Sequence, residues 1–268
     1  MGKRIFKAGT RESRLALVQT QDALDKLSAL FPDIGFERVS VTTPGDRDLT
    51  ADLRVSPADF FTRDLDDALR GGRIDIAVHS AKDLPDPVPA GLDWFWLPWR
   101  EEPRDAWILP PGKALENLPV APVIGVSSER REAYARTRFP QAVLKPIRGS
   151  ILSRLEQLDA GGYDAILMAG AALNRLGMGE RISKWVPLSE LAVPAGQGYL
   201  AVTFRLGDPV WTRLRSCFVK AVRFVGAGVG SADFCTWGGI QDLRQADVCL
   251  YDVLMDGTLL SFLPAHAE

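Results

Sequence analysis

Apolar and polar positions along the chain switch repeatedly between two periods. After the short run RIFKAG, the stretch SRLALVQTQDALDKLSALF places Leu17, Leu24, Leu27 and Phe31 at helical spacing, with Ser13 positioned to cap the helix start. FERVSVTT then alternates residue by residue, the period of a half-buried strand. TRDLDDALRGG predicts a helix capped by Thr62 and ended by a glycine pair, and IDIAVHS is a short β-branched run of the kind buried in a parallel sheet. Through LDWFWLPWREEPRDAWIL no period holds. A second alternation follows: VIGVSS, a helix over ERREAYARTRF, AVLKPIRGS, a helix over ILSRLEQLDAGG, and YDAILMAGAAL. Strand-helix-strand order, met twice, predicts two α/β domains with a crossover near Pro98 to Pro103.

Polar side chains gather directly behind the predicted strands. Arg11 and Ser13 follow RIFKAG, Lys82 and Asp83 follow IDIAVH, Arg130 and Arg131 follow VIGVSS and open a helix, and Arg148 follows AVLKPI. Open α/β sheets bind ligands beyond the carboxyl ends of their strands, where helix N-termini add backbone donors for anions. The pattern therefore predicts a cleft between two domains, lined by guanidinium groups, that holds a ligand carrying several carboxylates. Asp83 would be the one acid in it. His79, inside the strand run, is expected to be a satisfied core histidine.

Composition adjusts this only slightly. At 268 residues and 46% hydrophobic content the chain can build two cores. Its net charge of −2 gives no global attraction to nucleic acid or to a membrane surface, and neither is expected as a partner. Arginines outnumber lysines by 24 to 8, and arginine is the side chain that grips carboxylates with a planar fork. Cys217, Cys235 and Cys249 match no zinc spacing, so neither a metal site nor a disulfide framework is expected. The start of the chain is too charged for a secretory leader, and no run reaches the ~18 apolar residues of a membrane span, which points to the cytoplasm.

The segments GTRESRLALVQTQ, FTRDLDDALRGGRIDIAVHSAKDLP, EEPRDAWI, SSERREAYAR, IRGSILSRLEQLDAGGYDAILMAGAALNRLG and PAGQGYLAV resemble, in order and spacing, the porphobilinogen deaminases, also called hydroxymethylbilane synthases. The likeness covers roughly residues 3 to 206. It implies two hinged, doubly wound α/β domains like those of type II periplasmic binding proteins, here 1–97 with 191–207 and 98–190. It also implies the joining of four porphobilinogen molecules, with loss of ammonia, onto a dipyrromethane cofactor held by a cysteine thioether. By the resemblance Asp83 is the catalytic acid. Arg11, Ser13, Lys82, Ser128, Arg130, Arg131, Arg148 and Arg154 bind the acetate and propionate groups of substrate and cofactor. Gln19, Asp46, Phe61, Ser150 and Gln197 complete the cleft.

The chain departs from the pattern in three places. RVSPADFF stands where the family has a loop rich in Gly and Lys, Ser150 replaces an asparagine, and nothing after residue 206 resembles the family's third, α+β domain with its cofactor cysteine. Residues 208–268, with GAGVG and ADVCLYD, instead resemble the opening β-α-β of S-adenosylmethionine-dependent uroporphyrinogen methyltransferases. The expectation is a monomer or a part of a fused tetrapyrrole-pathway protein, with Cys235 the candidate anchor on a glycine-bounded loop. Two alternatives stay open: a homologue that binds porphobilinogen or a tetrapyrrole without polymerising it, and a solute-binding protein of the same architecture.

Overall fold

In the computed structural model, residues 3–43, 59–218, 235–244, 249, 251 and 257–263 are described. The first sheet has the order β2-β1-β3-β10-β4, made of β1 (Arg4–Thr10), β2 (Ile34–Ser40), β3 (Ile76–Ser80), β4 (Leu92–Trp96) and β10 (Leu200–Arg205). The second has the order β7-β6-β8-β5-β9, made of β5 (Asp105–Ile108), β6 (Val123–Val126), β7 (Val143–Pro146), β8 (Ala165–Ala169) and β9 (Lys184–Trp185). Both are mixed sheets. β3 runs parallel to β1 but antiparallel to β10, so it does not lie in a purely parallel sheet as its sequence suggests. The reason is the route of the chain. It returns from the second sheet at the carboxyl end of β3, where Leu200 pairs with Ser80, and so β10 must run back down. β5 likewise starts at the carboxyl end of β8, where Asp105 pairs with Ala169. Both crossovers therefore begin their strands at the ends where ligands bind.

β4 and β5 also lie inside the stretch that shows no period. In β4 the alternation is hidden because Trp94 and Trp96 are both half-buried, Trp96 stacking on Tyr199 at 5.3 Å; β5 is buried throughout. Elsewhere the alternation is visible in the packing. Trp107 and Leu167 enter one core of the second sheet, while their neighbours Ala106, Ile108, Ile166 and Met168 enter the core on its other face. Ile76 and Val78 join Phe6, Leu24, Leu27, Phe95 and Phe204 on one face of the first sheet, and Ala77 faces Leu65, Leu69 and Ile74 on the other. Each fully buried Leu, Ile, Val, Met or Phe among them contributes about 1.5–3 kcal/mol of transfer free energy.

Ser13 caps α1 (Arg14–Leu30), its hydroxyl accepting from the Ala16 amide at 3.3 Å. Thr62 does not cap α2 (Arg63–Arg70). Its own backbone is already helical and its amide donates to the Asp59 carbonyl at 3.0 Å, so its hydroxyl makes no capping bond. The compact unit runs from Met1 to Val219, past the boundary at 207 that the sequence suggests. The helix α6 (Pro209–Phe218), next in the chain after α5 (Gly170–Arg175), accounts for the difference, because Trp211 is fully buried against Phe6 and Phe36. A second unit, Lys220–Glu268, includes α7 (Trp237–Leu243). The stretch GAGVG, most of ADVCLYD, and Asp46 with residues 54–58 fall outside the described residues.

Candidate active site

The carboxyl ends of β1, β3, β6 and β7 supply the side chains singled out by the sequence. β1 ends at Thr10 and delivers Arg11, whose guanidinium lies 4.4 Å from the centre of the Phe61 ring. β3 passes into a single 3-10 turn, Ala81–Asp83, that carries Lys82 and Asp83. This turn is held from the return crossover: the Ala81 amide donates to the Tyr199 carbonyl at 3.0 Å. Gly196, at φ +77°, packs so closely that an added Cβ would lie 3.0 Å from the Lys82 amide nitrogen. Gln19, buried on α1, exchanges hydrogen bonds with Ser80 at 3.0 and 3.3 Å.

On the facing wall, Ser128 caps α3 (Glu129–Arg138) and Ser150 caps α4 (Ile151–Asp159), accepting from the Arg131 and Ser153 amides at 3.4 and 3.2 Å. Ser13 and Ser128, expected as ligand donors, and Ser150, expected in the cleft, thus serve first as N-caps; each O–H stays available to donate. Arg154 donates to the Gly149 carbonyl at 2.9 Å and to the Ser127 hydroxyl at 3.3 Å. The carbonyl of Arg148 accepts from the Gln157 amide at 3.0 Å.

The centre of the site is a residue that the sequence does not announce. Asp105, the first residue of β5, is buried with its carboxylate between two arginines: Oδ2 lies 2.5 Å from Arg130 Nη2 and Oδ1 2.9 Å from Arg131 Nη2. Gln197 Nε2 donates to Asp105 Oδ1 at 3.0 Å and to the Pro103 carbonyl at 2.6 Å, and Gln197 Oε1 accepts from Lys82 Nζ at 3.3 Å. Asp83 is therefore not the one acid in the basic cleft. Sequence alone hides Asp105 because EEPRD looks like a solvated charged loop and its partners lie 25, 26 and 92 residues away. The available signal is an acid placed directly before the apolar strand AWIL.

The cations outweigh these acids. Burial first, and then the charges of Arg131 and Arg148, bring Arg154 down to about 10. Lys82 is brought down to about 8 as the net of burial, its largest cause, and the charges around it: Arg131 lowers it, Asp83 and Asp105 raise it, and Arg130 lowers it. Burial pushes the Asp105 carboxyl up, but the charges and hydrogen bonds of Arg131 and Arg130 prevail and hold it below the usual carboxylate range. Arg131 Nε is buried without a partner among the described residues. Mutually repelling cations with an unused buried donor suit an anionic ligand. His79 stays apart from this chemistry: it is buried, lies 3.0 Å from the Thr203 hydroxyl, and is lowered to about 3 by burial and then by Arg11.

A family model described as porphobilinogen deaminase, dipyromethane cofactor binding domain, matches residues 6–213. The chain belongs to the porphobilinogen deaminase family. Curated porphobilinogen deaminases share 43% identity with it in Chromobacterium violaceum, over 73% of this chain and 64% of that protein, and 39% in Nitrosomonas europaea, over 88% and 80%. The deaminase of Laribacter hongkongensis is 38% identical over 97% of this chain and 86% of its own length. Against the Chromobacterium protein the chain thus spans just under two thirds of the relative's length. Among solved structures, a probable amino-acid ABC transporter extracellular-binding protein from Bacillus subtilis is similar with a TM-score of 0.50 at 11% identity, covering 78% of this chain and 88% of the other. That likeness shows the fold, the two-domain architecture of type II periplasmic binding proteins. Within the described residues no helix is long and apolar enough to cross a membrane.

Proposed function

We propose that the cleft binds porphobilinogen and the growing pyrrole chain, and that the protein carries out hydroxymethylbilane synthase chemistry in tetrapyrrole biosynthesis. The observation that carries this is the surplus of cations, Arg131 buried and the others half-buried, around the Lys82–Asp83 turn, because each porphobilinogen brings an acetate and a propionate that need fixed counter-charges. Arg11, Arg130, Arg131, Arg148, Arg154 and Lys82 hold those carboxylates, and the capping serines Ser13, Ser128 and Ser150 add hydroxyl donors. Asp83 accepts a hydrogen bond from the pyrrole N–H, stabilises the cation left as ammonia departs, and handles the proton at the coupling carbon.

The same cations suit dipyrromethane, itself a carboxylated pyrrole pair, which supplies the primer for chain growth when bound. Cys235, half-buried just ahead of α7, stays the candidate anchor, whereas Cys217 is exposed on α6 with its thiol turned to the Arg213 carbonyl. A second reading, a homologue that binds pyrroles without polymerising them, is favoured by the departure of residues 208–268 from the family's motifs. Peptide mapping after expression in porphobilinogen-producing cells separates the two: dipyrromethane on Cys235 supports the polymerase, and an unmodified protein without turnover supports the binder. For residues 208–268 we propose the opening unit of a methyltransferase-like domain.

Two binding experiments test the carboxylate cleft. Replacing Arg131 with lysine keeps the charge but loses the planar fork, and calorimetry should show porphobilinogen binding weaker by about 1–3 kcal/mol. Unchanged affinity would move Arg131 out of the ligand shell. The second test is pH. The protonated form of Lys82 attracts carboxylates, and this form prevails below about 8. Affinity should therefore be level below that point and fall, by up to about tenfold per pH unit, as pH rises beyond it, until Lys82 also deprotonates in the complex. A flat profile from pH 7 to 9.5 would show that Lys82 does not contact the ligand.

A further inference from the structure

Asp105 has no place among the groups that meet the substrate, yet its carboxylate meets three side chains of the cleft. Its carboxylate is wholly withdrawn from solvent and touches Arg130, Arg131 and Gln197 at 2.5, 2.9 and 3.0 Å. The Gln197 amide has two N–H donors, and both are taken, one by Asp105 and one by the Pro103 carbonyl at 2.6 Å. That fixes which end of the amide is which. The oxygen is left to face Lys82 Nζ at 3.3 Å. One acid thus orders two arginines directly and a lysine of the other domain at one remove, at the point where both crossovers pass.

We propose that Asp105 is the positioning residue of the cleft, fixing Arg130 and Arg131 by direct ion pairs and Lys82 through Gln197 in the places from which they meet the carboxylates of the ligand. This rests on the cleft being the porphobilinogen site. Mere fold maintenance does not call for an ion cluster here: replacing a buried ion pair whole by well-packed apolar side chains is often neutral or stabilising, and only removal of one partner leaves a buried charge unpaired. What a neutral residue cannot do is keep three repelling cations at fixed spacing. The charged groups acting on Lys82 are Arg131, Asp83, Asp105 and Arg130, so removal of the Asp105 charge leaves Asp83 alone to oppose two guanidiniums.

The test is Asp105→Asn in the full chain, read in two ways. Reductive methylation with ¹³C-formaldehyde gives Lys82 an NMR signal whose titration needs no substrate, and its midpoint should fall clearly below that of the wild type. The KM for porphobilinogen should rise about tenfold or more, the loss of one charge-assisted contact, with kcat changed less. A folded variant with an unmoved Lys82 midpoint and an unchanged KM would overturn the proposal. Should Asp105→Asn not fold, Gln197→Met cuts the link to Lys82 while leaving the arginine pairs, and it must displace the same Lys82 midpoint; no displacement would again overturn it. If the wild type shows no turnover, the polymerase reading fails separately, and the Lys82 titration still decides the role of Asp105.

Discussion

Asp83→Asn is expected to fold normally and to consume porphobilinogen about 100- to 10,000-fold more slowly than the wild type, the usual worth of a positioned acid-base group. The amide keeps the size and reach of the carboxylate but can neither carry a negative charge nor take up a proton at neutral pH. The turn that holds residue 83 is set by backbone contacts, the Ala81 amide on the Tyr199 carbonyl and the close approach of Gly196, so the substitution leaves its frame intact. Binding should change less than turnover, because the cations on the facing wall remain. Equal turnover by variant and wild type would remove Asp83 from the chemistry, and a loss confined to KM would make it a binding group instead.

The largest expected effect on stability comes from Trp211→Ala, at about 3–5 kcal/mol, the range for emptying a fully buried aromatic site. Trp211 is wholly buried, with Phe6 edge-on at 5.2 Å and Phe36 at 6.2 Å, and it ties α6 to the first sheet. Phe218, at the end of the same helix, stacks on Phe95 at 5.5 Å, so loosening α6 opens two sides of one core. Trp211→Phe should cost much less. It keeps the edge contact and removes an indole N–H that has no partner among the described residues. Denaturant unfolding followed by fluorescence measures both, and a loss under about 1 kcal/mol for the alanine variant would show that α6 is not part of this core.

Much of this architecture can be read along the chain because local signals and tertiary context agree. The helical spacing of Leu24 and Leu27, the cap at Ser13 and the buried run of β3 each recur in the structure as read. Arg11, Lys82, Asp83, Arg130, Arg131 and Arg148 do lie beyond the ends of the strands they follow. What stays hidden depends on distant partners. β10 enters the first sheet from more than a hundred residues away and makes it mixed, and no local pattern records that. Asp105 looks like a solvated acid until Arg130, Arg131 and Gln197 are folded around it. Thr62 has the residue type of a cap, but the turn beginning at Asp59 sets its backbone first.

The central claim is that this cation-lined cleft acts on porphobilinogen, and its most direct test is to supply porphobilinogen to the purified chain and follow ammonia. The account predicts ammonia released in step with porphobilinogen consumed, and the loss of that release in Asp83→Asn. The absence of both ammonia release and saturable porphobilinogen binding in the wild-type chain would contradict it.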